Sequence, residues 1–183
     1  MKTTGMTTME IKKINKSKVY HLIYDSRTIS KQGIASALEM GMNTVTQNLK
    51  LLEEEGMIER KGCFESTGGR KARAIRILPT ARISLGIEIL RKRLHIAAVD
   101  LYGNILEQES YTIPFQVSSA YCEQVGQKVN AFTEKYAFSP SRILGAAIAI
   151  QGLISTDGSS VSYGRVLDHT GMKLSDFARH IPY

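Results

Sequence analysis

The chain is poor in the residues that would cross-link it, and it has no apolar run long enough to remove it from water. Two cysteines, Cys63 and Cys122, make a weak disulfide framework for 183 residues. No stretch approaches the ~20 consecutive apolar residues that a membrane-spanning helix requires. Residues 1–13 contain no apolar segment of the kind a secretory signal needs, so the cytoplasm is the expected compartment. The four histidines, His21, His95, His169 and His180, have no metal-ligand spacing among themselves or with the cysteines, and each is expected to be a satisfied structural or surface residue. Neither paired carboxylates nor a Ser/His/Asp arrangement is legible, so no catalytic residue and no metal ligand is assigned. Asp100 and Asp157 lie in glycine-containing turns and need no catalytic role. A reactive thiol at Cys63, near Lys61, is a weaker reading than an incidental exposed cysteine. Internal repeats and low-complexity tracts are lacking too. With 43% hydrophobic and 22% charged residues, the composition is that of a folded globular protein, which excludes a disordered chain.

What is present in excess is positive charge, and it is unevenly placed. The net charge is +7. Residues 1–80 carry 14 basic and 8 acidic side chains, whereas residues 81–183 carry 10 and 9. A basic half beside a near-neutral half suggests a polyanion-binding module joined to something else, with a merely solvated basic surface as the plain alternative.

Apolar spacing predicts a helix over Ile14–Tyr24, with Ile14, Val19, Leu22 and Ile23 on one broad face. Ser30 is expected to cap a short helix containing Ile34, Ala35 and Leu38. Gly41 is expected at a turn, and Asn43 as the cap of a third helix that turns Val45, Leu49 and Leu52 inward and stops at Gly56. Strands are expected at Met57–Arg60 and Ala72–Leu78, and a linker at Pro79-Thr80. Domains are accordingly placed at 1–79 and 80–183.

Beyond the linker, strands are expected at Ile83–Leu90, Leu94–Asp100 and Ile105–Pro114, with Arg91-Lys92-Arg93 as a tight hairpin. Ser118 or Ser119 should cap a helix running to Tyr136. Ile143–Ile150 is a continuous apolar run, the pattern of a strand buried on both faces of a partly parallel sheet. Another helix begins at Leu174. The second half thus reads β-β-β-α-β, and the fold class is multidomain, α followed by α+β.

A helix, a short capped helix, a glycine turn and a longer helix with a polar face form a helix-turn-helix pattern. A second helix of this kind enters the major groove only if its outer face carries hydrogen-bonding side chains. Asn43, Thr44, Thr46, Gln47 and Lys50 supply that face. Gln47 suits adenine, and Thr44 suits a phosphate or a thymine methyl. Ser30, Lys31 and Gln32 open the preceding helix, where a phosphate would be welcome. Gly68-Gly69-Arg70-Lys71 and Arg73 follow as a glycine-tipped basic loop, a wing for the backbone or the minor groove. A helix-turn-helix used only for protein contacts is the competing reading.

In order along the chain, Ile14-Asn15-Lys16-Ser17, Ile29-Ser30-Lys31-Gln32-Gly33-Ile34-Ala35, Asn43-Thr44-Val45-Thr46, Leu52-Glu53-Glu54-Glu55-Gly56 and Gly68-Gly69-Arg70-Lys71 resemble the DNA-binding half of ROK-family (repressor, open reading frame, kinase) transcriptional repressors. Gly86-Ile87-Glu88-Ile89, Ala97–Leu106, and Ile143–Ile150 with Gln151-Gly152 are similar to the start of the ROK domain. The resemblance implies a winged helix-turn-helix followed by part of an actin-like, ribonuclease H-like lobe. It further implies a sugar-type effector, a palindromic double-stranded operator and a homodimer or higher oligomer. Gly152, Gly164 and Asp168 would line the effector cleft by this analogy. Kinases of the family carry an Asp-x-Gly-Gly-Thr phosphate loop where this chain has Glu88-Ile89-Leu90-Arg91-Lys92, so kinase activity is not expected. A sugar kinase with an appended DNA-binding arm is the enzyme alternative, and the Arg91–Arg93 tip is more simply a solvated one. Family members continue past Tyr183 into a catalytic aspartate segment, a cysteine-rich zinc motif and a second lobe. The sequence is therefore expected to be part of a longer protein, with no cofactor of its own and any structural zinc in that continuation.

Overall fold

The computed structural model describes residues 7–64 and 72–183. They form two compact units that divide at Ala81–Arg82, the first all helices and a hairpin, the second a mixed sheet with helices.

The first unit opens with α1, Thr8–Ser26, six residues earlier than the apolar spacing indicates. The start is set by a capping box: the Thr7 hydroxyl accepts from the Glu10 N–H, and the Glu10 carboxylate accepts from the Thr7 N–H at 2.7 Å. Those backbone and side-chain hydrogen bonds from Thr7 lower the Glu10 pKa. Val19 and Ile23 are buried, but Ile14 is exposed, because the first turns of α1 extend past the apolar face.

The Ser30 hydroxyl accepts from the Gly33 N–H at 3.0 Å and starts α2, Lys31–Ala37. The third helix, α3 (Met42–Glu54), is capped by Gly41 rather than Asn43, which lies inside its first turn. Gly41 has φ −60°, so it is not the residue that needs a left-handed backbone; Glu39 takes that conformation, at φ 51°. Gly56, at φ 66°, ends the helix as its position suggests.

Two antiparallel strands follow, β1 (Ile58–Cys63) and β2 (Arg73–Ile77), and Ile29 bridges to Ile75 through a reciprocal pair of backbone hydrogen bonds. Val19, Ile23, Ile34, Val45, Leu49, Leu52, Ile58, Ile75 and Ile77 make the core.

The second unit is built on strands in the order β5-β4-β3-β6: Ile105–Tyr111, Leu94–Asp100, Ile83–Ile89 and Ile143–Ile150. The first three pair antiparallel, and β6 returns parallel to β3 after α4, Ser119–Lys135. Ser118 is the cap of α4, its hydroxyl accepting from the Tyr121 N–H. Leu85, Ile87, Leu94 and Ile96 from the sheet pack against Val125, Val129 and Phe132 of α4.

β6 departs from the expectation set by its apolar run. β6 is not buried on both faces: alternate residues are half-buried or exposed, and Leu144 keeps 62% of its surface. It is an edge strand, and an all-apolar sequence does not reveal that only one face is covered. A short hairpin of β7 (Leu153–Ile154) and β8 (Val161–Tyr163) and a last helix, α5 (Leu174–Ala178), complete the unit. Gly126 in α4 is needed for close packing, since a Cβ there would lie 2.6 Å from the His180 carbonyl oxygen.

Candidate nucleic-acid interface

The site is a consequence of how α3 divides its surface. Val45, Asn48, Leu49 and Leu52 recur at helical spacing and are buried. Asn48 is the unexpected member of this inward face; its amide donates to the Thr44 carbonyl at 2.8 Å, which meets the need of a buried polar group. The opposite stripe therefore carries Asn43, Thr46, Gln47 and Lys50, all exposed, with Thr44 half-buried at its margin. The Thr46 hydroxyl donates back to the Met42 carbonyl at 2.6 Å, so its methyl is the more available end. Lys50 lies 3.7 Å from Glu54, one turn further on.

Lys31 and Gln32 stand at the start of α2, half-buried and exposed respectively. Ser30 is occupied as the cap, and α2 has only seven residues, so a phosphate here would be met by the two side chains. Arg73 is exposed at the start of β2, opposite Cys63. Gly69, Arg70 and Lys71 lie outside the described residues.

Several basic residues of this unit are held by its own carboxylates. Arg60 grips Glu53 with two hydrogen bonds, Arg76 grips Glu59, and Lys16 reaches Glu55. Among the described residues, no carboxylate is within ion-pair distance of Lys31 or Arg73.

In the second unit, Gly152 and Gly164 come together: a Cβ on Gly152 would lie 3.5 Å from the Gly164 Cα. Asp168 is exposed in a left-handed turn, φ 53°, just before His169, whose backbone N–H donates to the Gly164 carbonyl. His169 departs from expectation. It is 1% exposed, and neither ring nitrogen has a hydrogen-bond partner among the described residues. The Arg91 guanidinium is not simply solvated either, since it donates to the Val166 carbonyl at 2.6 Å. Among the described residues, no three His, Cys, Asp or Glu side chains converge as a metal site, and no helix is long and apolar enough to cross a membrane.

No protein-family profile matches the chain. It is 26% identical over 155 residues to the DNA-binding transcriptional dual regulator NagC of Escherichia coli K12, covering 84% of this chain and 38% of that protein. A putative xylose repressor of a Caldicellulosiruptor species is 25% identical over 155 residues, covering 82% and 38%. The solved structure of a ROK-family transcriptional regulator, a homologue of E. coli Mlc, superposes with a TM-score of 0.64 and 22% identity, covering 93% of this chain and 42% of that one. The chain is thus similar in sequence to NagC and to a xylose repressor, and in fold to a ROK-family regulator. It spans 38% of the length of the curated relatives it matches. The structural likeness supports an α+β architecture.

Proposed function

We propose that this ROK relative is part of a sequence-specific transcriptional regulator whose first unit is a winged helix-turn-helix that binds double-stranded DNA. In this reading α3 lies in the major groove and the β1–β2 hairpin is the wing. The observation that carries it is the outward stripe Asn43, Thr46, Gln47 and Lys50, backed by a packed inner face, on the unit that holds the basic excess. Gln47 offers a donor and an acceptor to an adenine edge, and Thr44 and Thr46 are placed for a phosphate or a thymine methyl. Lys31, Gln32 and Arg73, with Gly69, Arg70 and Lys71 of the loop, position the unit on the backbone.

The second unit is read as the first part of an actin-like lobe with a sugar-type effector near Gly152, Gly164 and Asp168. Relatives named for N-acetylglucosamine and xylose support that effector class and a repressor of sugar-metabolism genes. A cytoplasmic homodimer on a palindromic site completes the proposal. A kinase is the weaker reading, because the β3–β4 tip, Leu90 to Arg93, has no glycine to let backbone amides approach a phosphate.

The test is equilibrium binding to duplexes selected from a randomised pool. Affinity should fall steeply between ~50 and ~200 mM salt. Gln47→Ala should lower discrimination at one base pair by about 1–3 kcal/mol, while Arg73→Ala should weaken all duplexes about equally and reduce the salt slope by about one. Binding indifferent to salt and to both substitutions would refute the groove assignment.

A further inference from the structure

Three consecutive glutamates end α3, where the helix dipole disfavours negative charge. Two have a structural reason to be there: Glu53 holds Arg60 of β1, and Glu55 holds Lys16 of α1. Glu54 holds neither. Among the described residues its one partner is Lys50 at 3.7 Å, both side chains being largely exposed at 58% and 75%. Lysine four residues before glutamate is also the less favourable order for such a pair on a helix. Helix stability therefore gives no account of Glu54.

Its position gives one. Asn43, Gln47, Lys50 and Glu54 step by four, three and four residues, so Glu54 lies on the same outward stripe. A carboxylate on a groove-facing stripe is repelled by phosphates and finds donors only at the exocyclic amines of cytosine and adenine. A lysine beside it offers donors for the O6 and N7 of guanine. On a G·C pair, the guanine O6 and the cytosine N4 amine are neighbours.

We infer that Lys50 and Glu54 act together to read one G·C base pair in the major groove, Lys50 donating to guanine O6 and N7 and Glu54 accepting from cytosine N4. The inference rests on the proposed placement of α3 in the groove. The carboxylate keeps the ammonium directed at base edges and off the phosphates, so the pair lends specificity and little affinity. At a helical rise of ~1.5 Å per residue against ~3.4 Å per base, Lys50 stands about one base pair and Glu54 about three from the position read by Gln47, and the 3.7 Å approach of their side chains brings them to a shared pair between those limits.

The test uses the whole chain and a randomised duplex pool, followed by equilibrium titration of the selected duplex and of versions with each base pair replaced in turn. The parent chain should select a G·C pair whose replacement weakens binding roughly tenfold. Glu54→Gln should abolish that preference at this position only, shift it toward A·T, and leave affinity for unselected DNA equal or higher because a negative charge is gone. Lys50→Met should lose the same position and also weaken binding to all duplexes. If Glu54→Gln selects the same sequence with the same discrimination, the inference is overturned while the DNA-binding reading stands. If the parent chain binds no duplex, both are overturned.

Discussion

His169 shows how a single side chain can be placed at a cost. Its ring packs edge-to-face on Phe115, with centroids 5.6 Å apart, and lies so close under Gly164 that a Cβ there would come within 2.6 Å of Nδ1. The aromatic contact contributes about 0.5–1.5 kcal/mol, whereas a buried nitrogen without a partner costs about 1–3 kcal/mol. The cost outweighs the contact. His169→Leu is therefore expected to leave the unfolding free energy unchanged or to raise it by up to about 2 kcal/mol, measured by denaturant titration. A loss of more than about 1 kcal/mol would mean that the ring nitrogens engage a group in solution. Sequence spacing showed that this histidine adjoins Asp168; burial beneath a glycine met through a backbone hydrogen bond is not encoded in neighbouring residues. Gln47 and Lys50 were legible for the opposite reason, because the period of one helix decides which side they face.

At the scale of elements, caps account for most of what the sequence discloses. Ser30 and Ser118 start α2 and α4 as their hydroxyls suggest. The start of α1 was equally available, in Thr7 and Glu10 three residues apart, but the apolar face that locates a helix begins only further along. Gly41 replaces Asn43 as a cap because extended backbone at the preceding residue suffices to begin a helix without a side-chain acceptor.

Edges are less legible. β5 is anchored by Glu109, which accepts hydrogen bonds from Tyr111 beside it and from Lys135 and Tyr136 at the end of α4. The hydrogen bond from Lys135 comes first, then those from Tyr111 and Tyr136, in holding the Glu109 pKa down to about 2 from 4.5. A carboxyl group with a lowered folded-state pKa stabilises above its unfolded value, and that contribution fades as pH falls from about 4.5 through about 2. Glu109→Gln should thus lower the melting temperature at pH 7, with the difference between variant and parent closing toward pH 2. A difference independent of pH over that window would show that the carboxylate charge is not what joins β5 to α4.

For the molecule as a whole, the structure divides after Ala81, and the residues before that division carry +6 of the net charge of +7. Each unit has its own buried residues, so binding to one should be read out in that unit's amides. A ligand that binds only the native form, present at about a hundred times its Kd, stabilises by about 2.7 kcal/mol, which slows exchange through unfolding roughly a hundredfold. Adding the selected duplex should therefore slow the most protected amides of α2, α3 and β2 by about that factor. Amides of α3 are the sharpest reporters, because Val45, Leu49 and Leu52 make their exchange depend on opening of the core rather than fraying. Heparin, a polyanion without base edges, should protect the same amides at low salt and lose that effect as salt rises, because its attraction is counterion release alone. Selected DNA should retain part of its protection at a salt concentration that abolishes heparin's, the residue being the contribution of base contacts. Equal loss for both would leave a basic surface with no sequence reader. Protection appearing only in β3 to α5 would place the polyanion on the near-neutral unit and refute the assignment of α3.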